Sequence, residues 1–422
     1  MFKVSVLAIA IAVTSTSVVA EETPSLEAMW QLIKSQQNQI DGLKKELDQA
    51  EHKIQQTEVK VIATADAVEA IEVGDGIVGG SDAQWAEKTT LGGYGELHYN
   101  NLENQSSAVN SADDKTEIDF HRFVMFFDHE FNESVRFFSE LELEHAESGE
   151  GKNGAVELEQ AYLEYDYADN HGMQAGLFLV PVGIINETHE PNTFYGVERN
   201  NIEKNIIPTT WREAGINLKG YVAEGIRYDL AATSGLFIED GEYKVRDGRQ
   251  SISKAKADDL AYTGRIKYTG ITGFELAVTV QYQNDLFQSE SRGAVSGMSA
   301  SLFEAHATYV AGVFSVRALY AQWDMNSNYE QATGKVGSDQ QLGWYIEPSF
   351  KLSESLGLFT RYGEWDNQAG SNVVDSQYAQ WSVGANYWLT PQVVFKADYQ
   401  NQTAARSKDE FDGFNLGVGY SF

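Results

Sequence analysis

The chain has 422 residues, with 31 Lys+Arg against 62 Asp+Glu, a formal net charge of −31 and no cysteine. That balance argues against nucleic acid as a partner, because phosphate binding needs basic surface. The missing thiols exclude disulfides and thiolate metal sites, and the length admits two or three ordinary domains or one large barrel.

Residues 1–20 read as a cleavable secretory signal. Lys3 supplies the positive start, the apolar run from Val4 to Val13 follows, and Val18-Val19-Ala20 places small residues before Glu21. The run is too short to span a bilayer. Beyond Ala20 no stretch is long and apolar enough for a transmembrane helix. An exported chain of this kind is either soluble or a barrel, since only helices and closed barrels satisfy every backbone polar group in lipid.

Residues 21–73 are expected to form a periplasmic coiled-coil oligomerisation segment. Leu26, Ile33, Ile40, Leu47, Ile54, Val61 and Val68 recur every seven residues, and Met29, Gln36, Leu43, Ala50, Thr57, Thr64 and Ile71 give a weaker second seam. The mixed seam leaves the strand number open, and a single amphipathic helix against another domain is the alternative. Helical throughout, the heptads would extend roughly 70 Å. Residues 74–90 read as a linker, broken by Gly74, Gly76, Gly79 and Gly80.

From residue 91 to residue 422 the period changes to two. Leu91, Leu97 and Tyr99 oppose Tyr94, Glu96, His98 and Asn100; Leu276, Val278, Val280 and Tyr282 oppose Glu275, Thr279, Gln281 and Gln283; Phe395, Ala397 and Tyr399 oppose Lys396, Asp398 and Gln400. A half-buried soluble sheet also alternates. Lipid is favoured because the apolar faces end in aromatics such as Tyr165, Tyr268 and Tyr387, while the opposite faces are charged or small. Long connections (236–258, 284–298, 324–340) alternate with short ones (269–272, 390–391). The predicted fold is all-β: an antiparallel transmembrane barrel of about sixteen strands, with a margin of two, preceded by the α-helical coiled coil. Segments 118–131 and 156–167 break the alternation, and their register is open.

Three features carry a family resemblance. The last strand ends in Phe422, similar to the terminal aromatic signal of outer-membrane barrels. Gly176-Leu177-Phe178-Leu179-Val180-Pro181-Val182-Gly183 resembles the strand before the inward loop of the phosphate-selective porin O and P superfamily, and Trp211-Arg212-Glu213-Ala214-Gly215 the strand after it. The heptads resemble those of coiled-coil-tethered trimeric porins that carry dicarboxylates. The resemblance covers roughly 90–422. It implies a sixteen-stranded homotrimer in the Gram-negative outer membrane, a loop folded into each pore, anion preference, and delivery to the barrel-assembly machinery through Phe422. The chain departs from the phosphate specialists' ladder of inward Arg and Lys. Its expected constriction loop, 184–210, carries Glu187, Glu190, Glu198 and Glu203 with His189, Arg199 and Lys204.

A channel selects by size and field, so its lining is its site. Parity turns Glu96, Glu140, Glu142 and Glu144 inward from the early strands, with Arg122 and Arg136 among them. Arg265, Lys267, Arg317, Arg361 and Lys396 point inward from later ones. The expected consequence is a field between an acidic wall and a more basic one, narrowed by the loop. Plain solvation of a wet lumen is the alternative. His98, His145 and neighbouring glutamates are a weak metal constellation, so no metal or other cofactor is expected. No Ser/His/Asp arrangement stands out, so an enzyme is not expected. The expected function is passive diffusion of small hydrophilic solutes. The rivals are a specific channel for phosphate, polyphosphate or dicarboxylates, an envelope tether built on the coiled coil, and a soluble secreted β-protein.

Overall fold

The computed structural model describes residue 34 and residues 82–106, 112–291, 297–326, 328–405 and 408–422. The predicted signal segment, the coiled coil apart from residue 34, and the linker before residue 82 lie outside the described residues. Within 74–90 the structure differs from a plain linker. A short helix, Asp82–Glu87, precedes the first strand, which begins at Thr89. Trp85 packs at 6.0 Å against the rings of Phe127 and His129, and Thr89 Oγ1 donates to the Trp85 carbonyl (2.6 Å).

Gly80–Phe422 forms one unit. Its strands are β1 (Thr89–Asn104), β2 (Lys115–Asn132), β3 (Val135–Glu144), β4 (Val156–Ala168), β5 (His171–Leu179), β6 (Arg212–Ala223), β7 (Ile226–Thr233) and β8 (Ala261–Ile271). They continue as β9 (Phe274–Gln283), β10 (Ala300–Ala311), β11 (Phe314–Met325), β12 (Gln340–Lys351), β13 (Leu356–Asp366), β14 (Tyr378–Thr390), β15 (Val393–Thr403) and β16 (Phe411–Ser421). Each pairs antiparallel with the next, and β1 closes on β16 from Tyr94↔Ser421 to Asn104↔Phe411. The barrel therefore has sixteen strands and no free edge.

Its faces are inverted relative to a soluble sheet. Leu163, Ile266, Val280, Val383, Phe395 and Leu416 are exposed on the outside, whereas Glu96, Arg122, Glu304 and Arg265 are buried on the inside. Burying charge within and exposing aliphatic surface costs free energy in water; in a bilayer the outer surface is solvated by hydrocarbon. No described helix is long and apolar enough to cross a membrane. Phe422 also faces outward, its ring stacked on Phe123 and Tyr420, and it exchanges backbone hydrogen bonds with Gly93 at 2.9 Å.

The two segments of open register each contain a bulge. Glu96 pairs with Arg122 but His98 pairs with Asp119, so β2 carries one extra residue there. Glu140 pairs with Gln160 but Leu141 with Leu158, so Glu159 is the extra residue of β4. A bulge re-aims one side chain and shifts the parity beyond it. The short connection expected at 269–272 is also displaced. β8 runs on to Ile271, and the turn is Thr272-Gly273. Gly273 has φ of 77°, and a Cβ there would lie 2.3 Å from the Val310 carbonyl oxygen, so the tight turn requires glycine.

The interior is not uniformly wet. Val180, Ile202, Ile206 and Trp211 of the connection between β5 and β6 cluster with Leu236, Val245, Leu286, Phe287 and Met298 of later connections. These pack on Leu302, Leu319, Trp323 and Tyr345 of β10, β11 and β12. A dry core thus fills the barrel beside β10–β12 and confines the polar space to other walls.

Candidate functional site: the lumen and its inward loop

The loop of residues 180–211 is closed at its mouth by the motif that follows it. The Val180 N–H donates to the Trp211 carbonyl (2.8 Å), and the Trp211 N–H to Asn186 Oδ1 (2.7 Å). Trp211 Nε1 donates to buried Glu213 (3.1 Å). From there the loop crosses the interior. Asn192 Nδ2 donates to the carbonyl of Pro391 (3.2 Å), in a short turn. Short turns mark the periplasmic end of outer-membrane barrels, so the loop reaches deep into the lumen. A four-residue helix, Ile202–Asn205, returns toward β6.

The charged residues selected by parity mostly hold this loop and each other. Arg265 lies between Asp229 (2.8 Å) and Glu187, pinning the loop to β8. Arg317 donates to the Thr193 carbonyl (2.8 Å). Arg361 pairs with Glu347 (3.0 Å), and the Lys396 ammonium lies 3.6 Å from the centre of the Phe194 ring. Lys267 pairs with Glu275 (3.4 Å), and Arg136 with Glu164 and Asp166 near the periplasmic turns. Arg122 pairs with Glu96 (2.5 Å) and approaches Glu142 (4.0 Å); Glu140 accepts from Gln160 (2.6 Å). The cations of β8, β11, β13 and β15 are thus engaged with carboxylates, backbone or ring, and do not form a free basic wall.

Within the loop, Glu203 is an internal staple. Its carboxylate accepts the N–H groups of Ile184 (2.8 Å) and Ile185 (2.6 Å) and the Tyr345 hydroxyl (2.8 Å). His189 stands 3.7 Å from both Glu140 and Glu159. Burial opposes its charge, yet the two carboxylates outweigh it and push the imidazole up to about 9. Glu198 accepts from His98 (3.0 Å). Burial would raise its carboxyl, but the His98 hydrogen bond holds it well below the usual carboxylate range.

Two adjoining cavities of about 250 and 280 Å³ share His121, Glu198, Arg199 and Lys204 on the side of the long loops. The larger is lined by six Lys or Arg and five Glu. The acids Glu142, Glu144, Glu157 and Glu159 come from β3 and β4. Facing them are Arg199 and Lys204 of the inward loop, Arg212 of β6, and Arg246 and Arg249 of the connection between β7 and β8. Arg199 and Arg249 are both pushed down to about 10, by burial first and then by neighbouring cations. Among the described residues, Arg199 Nε and Nη2 and Arg249 Nε meet no hydrogen-bond acceptor. On the periplasmic side, Glu140, Glu187, His189 and Glu190 line another cavity of about 340 Å³. His189 therefore bridges acids that belong to different cavities.

Glu142, Glu144, Glu157 and Glu159 thus line one side of the cavity, and the cations facing them come mostly from loops, with Arg212 from β6. Arg246 and Arg249 lie in a stretch without periodicity, and Glu159 and His121 lie at bulges, where the parity shifts. No pattern of two would have found these four residues. Arg212 was visible as part of the motif after the loop, without its charge partners Glu157 and Glu159.

The sequence profile of the Gram-negative porin family matches residues 62–407. An uncharacterized protein of Aquifex aeolicus (strain VF5) is 30% identical over 362 residues, covering 79% of this chain and 80% of that one. Among solved structures, the fold is similar to the outer membrane channel DcaP of Acinetobacter baumannii, with a TM-score of 0.56, 14% identity, and coverage of 79% of this chain and 97% of that chain. It is similar also to the anion-selective porin from Comamonas acidovorans, with a TM-score of 0.54, 11% identity, and coverage of 79% and 99%. A closed barrel of sixteen strands with a loop folded inward, matched by this profile over most of its length, belongs to the Gram-negative porin family and is an outer-membrane channel.

Proposed function

We propose that the protein carries small hydrophilic solutes across the outer membrane by passive diffusion, with a preference for anions. The observation that carries this reading is the crowding of Arg199, Lys204, Arg212, Arg246 and Arg249 around one cavity, with guanidinium N–H groups left without acceptors. Cations held this close attract a mobile anion, and the acidic wall opposite orients a solute that has both charge and polar groups. Porins with the same fold include one described as anion-selective. Arginine forks also suit bidentate carboxylate or phosphate, which keeps a more specific channel for phosphate, polyphosphate or dicarboxylates as the second reading. We further propose the phosphate-porin likeness, the cleavable signal, the periplasmic coiled coil and a homotrimer as finer features of the same molecule.

The test is the reversal potential of the wild-type channel in a planar bilayer under a potassium chloride gradient. An anion-selective potential is expected. The triple variant Arg199→Gln, Arg212→Gln, Arg249→Gln should move it toward cation selectivity. A cation-selective wild type, or a potential unmoved by the triple variant, sinks the reading. Adding phosphate or a dicarboxylate to the chloride solution separates the two versions. Saturable block of current supports a specific channel, and a merely additive current supports general diffusion.

A further inference from the structure

Asp119, His121 and His145 converge at the mouth of the polar space, on the side of the long loops, and each lines the cavity of about 250 Å³. Asp119 and His121, two residues apart on β2, share the inner face, and the bulge opposite Glu96 and His98 turns Arg122 to that face as well. His145 follows the last residue of β3 with φ of 52°, unusual for a residue with a side chain, and its N–H donates to the His121 carbonyl (3.2 Å). The backbone thus holds the two imidazoles side by side, 5.7 Å apart and nearly perpendicular at 84°.

The donor atoms are arranged as metal ligands are. His145 Nδ1 lies 2.9 Å from each Asp119 oxygen, and His121 Nδ1 lies 3.2 Å from Asp119 Oδ2. One donor atom from each residue lies within 4.8 Å of the others. Ligands about 2.1 Å from a common ion are themselves roughly 3 Å apart, so little movement is needed to admit one. His121 is steadied by His98, stacked on it at 4.7 Å and 15°. His98 is in turn held by Glu96 (3.1 Å) and Glu198 (3.0 Å). Such outer partners fix a ligating ring and tune its affinity. The three residues are only half-buried, which leaves room for water or a solute oxygen to complete the coordination.

We propose that Asp119, His121 and His145 form a binding site for a borderline divalent transition cation, such as zinc or nickel, at the outer mouth of the pore. Two imidazoles and one carboxylate favour such ions over calcium or magnesium, which prefer oxygen donors. Glu140, Glu159 and His189 also cluster. They are buried, however, and Arg212 already stands 3.7 Å from Glu159, so a further cation there meets positive charge. The inference is independent of the anion preference, because binding is read without any transport.

The experiment is calorimetric titration of zinc chloride and nickel chloride into the full-length protein in detergent, with calcium chloride as comparison. One zinc per chain is expected, with calcium binding far more weakly. His121→Ala and His145→Gln should each weaken zinc at least about tenfold, while His189→Gln leaves its affinity unchanged. His145→Gln lies beyond the last strand residue and tests the same site without touching the strand ladder. Mobility shifts between heated and unheated gel samples confirm folded barrels. Wild-type protein that binds no zinc, binding that survives His145→Gln, or binding lost only in His189→Gln overturns the proposal.

Discussion

Arg265 shows how a lumen charge is used in this barrel. It is buried between Asp229 of β8's neighbour β7 and Glu187 of the inward loop. An isolated buried guanidinium would be costly, and the two carboxylates offset that cost. Glu187→Gln removes the loop partner and leaves Asp229 in place. The barrel should fold normally while the loop loosens, and single-channel recordings should show higher conductance and more current noise. An unchanged trace would mean that the remaining contacts of residues 180–211 position the loop alone. His189 gives a pH-dependent counterpart. Its imidazole is raised to about 9 from an ordinary value near 6.5. The groups facing it are Glu140 of β3, Glu159 of β4, Arg199 of its own loop and the Tyr94 ring of β1. A raised imidazole contributes its full stabilisation below the unfolded value and loses it as pH rises through about 9. Loop anchoring should therefore weaken between roughly pH 6.5 and 9. Conductance noise that grows over this interval in the wild type and stays flat in His189→Gln is the expected result. Sequence parity turned Arg265, Glu140 and Lys396 inward. It did not show that they meet Glu187, His189 and Phe194, because that loop is distant in sequence and is brought close only by folding.

At the scale of strands, alternation works wherever one side chain per residue step is preserved. β9 is an example. Leu276, Val278 and Val280 are exposed on the outside, while Thr279, Gln281 and Gln283 are buried within. Val278 lies midway along the strand, so Val278→Arg would place a charge near the middle of the hydrocarbon. The expected cost is about 2–4 kcal/mol of folding free energy, measurable by denaturant titration in lipid vesicles. A cost near zero would indicate that this face is covered by something other than lipid. Alternation fails where a strand gains a residue. In β2 and β4 a reader counting by twos lands on the wrong face beyond the bulge, and Glu159 and His121 are missed for that reason. The part of the dry core formed by Ile202, Leu236, Val245 and Phe287 was hidden for another reason. Its members sit in long connections, where neither the period of two nor that of a helix applies, and their apolar character has meaning only once the barrel wall surrounds them.

For the whole molecule, sixteen strands close between Thr89 and Ser421, and every ladder of the barrel lies within that span. The barrel thus needs no strand from residues 25–72. The heptads in those residues, proposed as a coiled coil, would act by linking chains and raising the effective concentration of one barrel near another. That gain is largest when the protein is dilute. Deleting 25–72 should therefore leave the conductance of a single pore unchanged, because the loop, the acidic wall and the cation cluster are all retained. Crosslinking in detergent should show the same oligomer as the full-length chain at high concentration, and more monomer on dilution. In cells, the deletion should preserve solute uptake; leakage of periplasmic enzymes in the same cells would assign the stalk a tethering role as well. Loss of conductance in the purified deletion variant would contradict a self-sufficient barrel and would make residues 25–72 part of the pore itself.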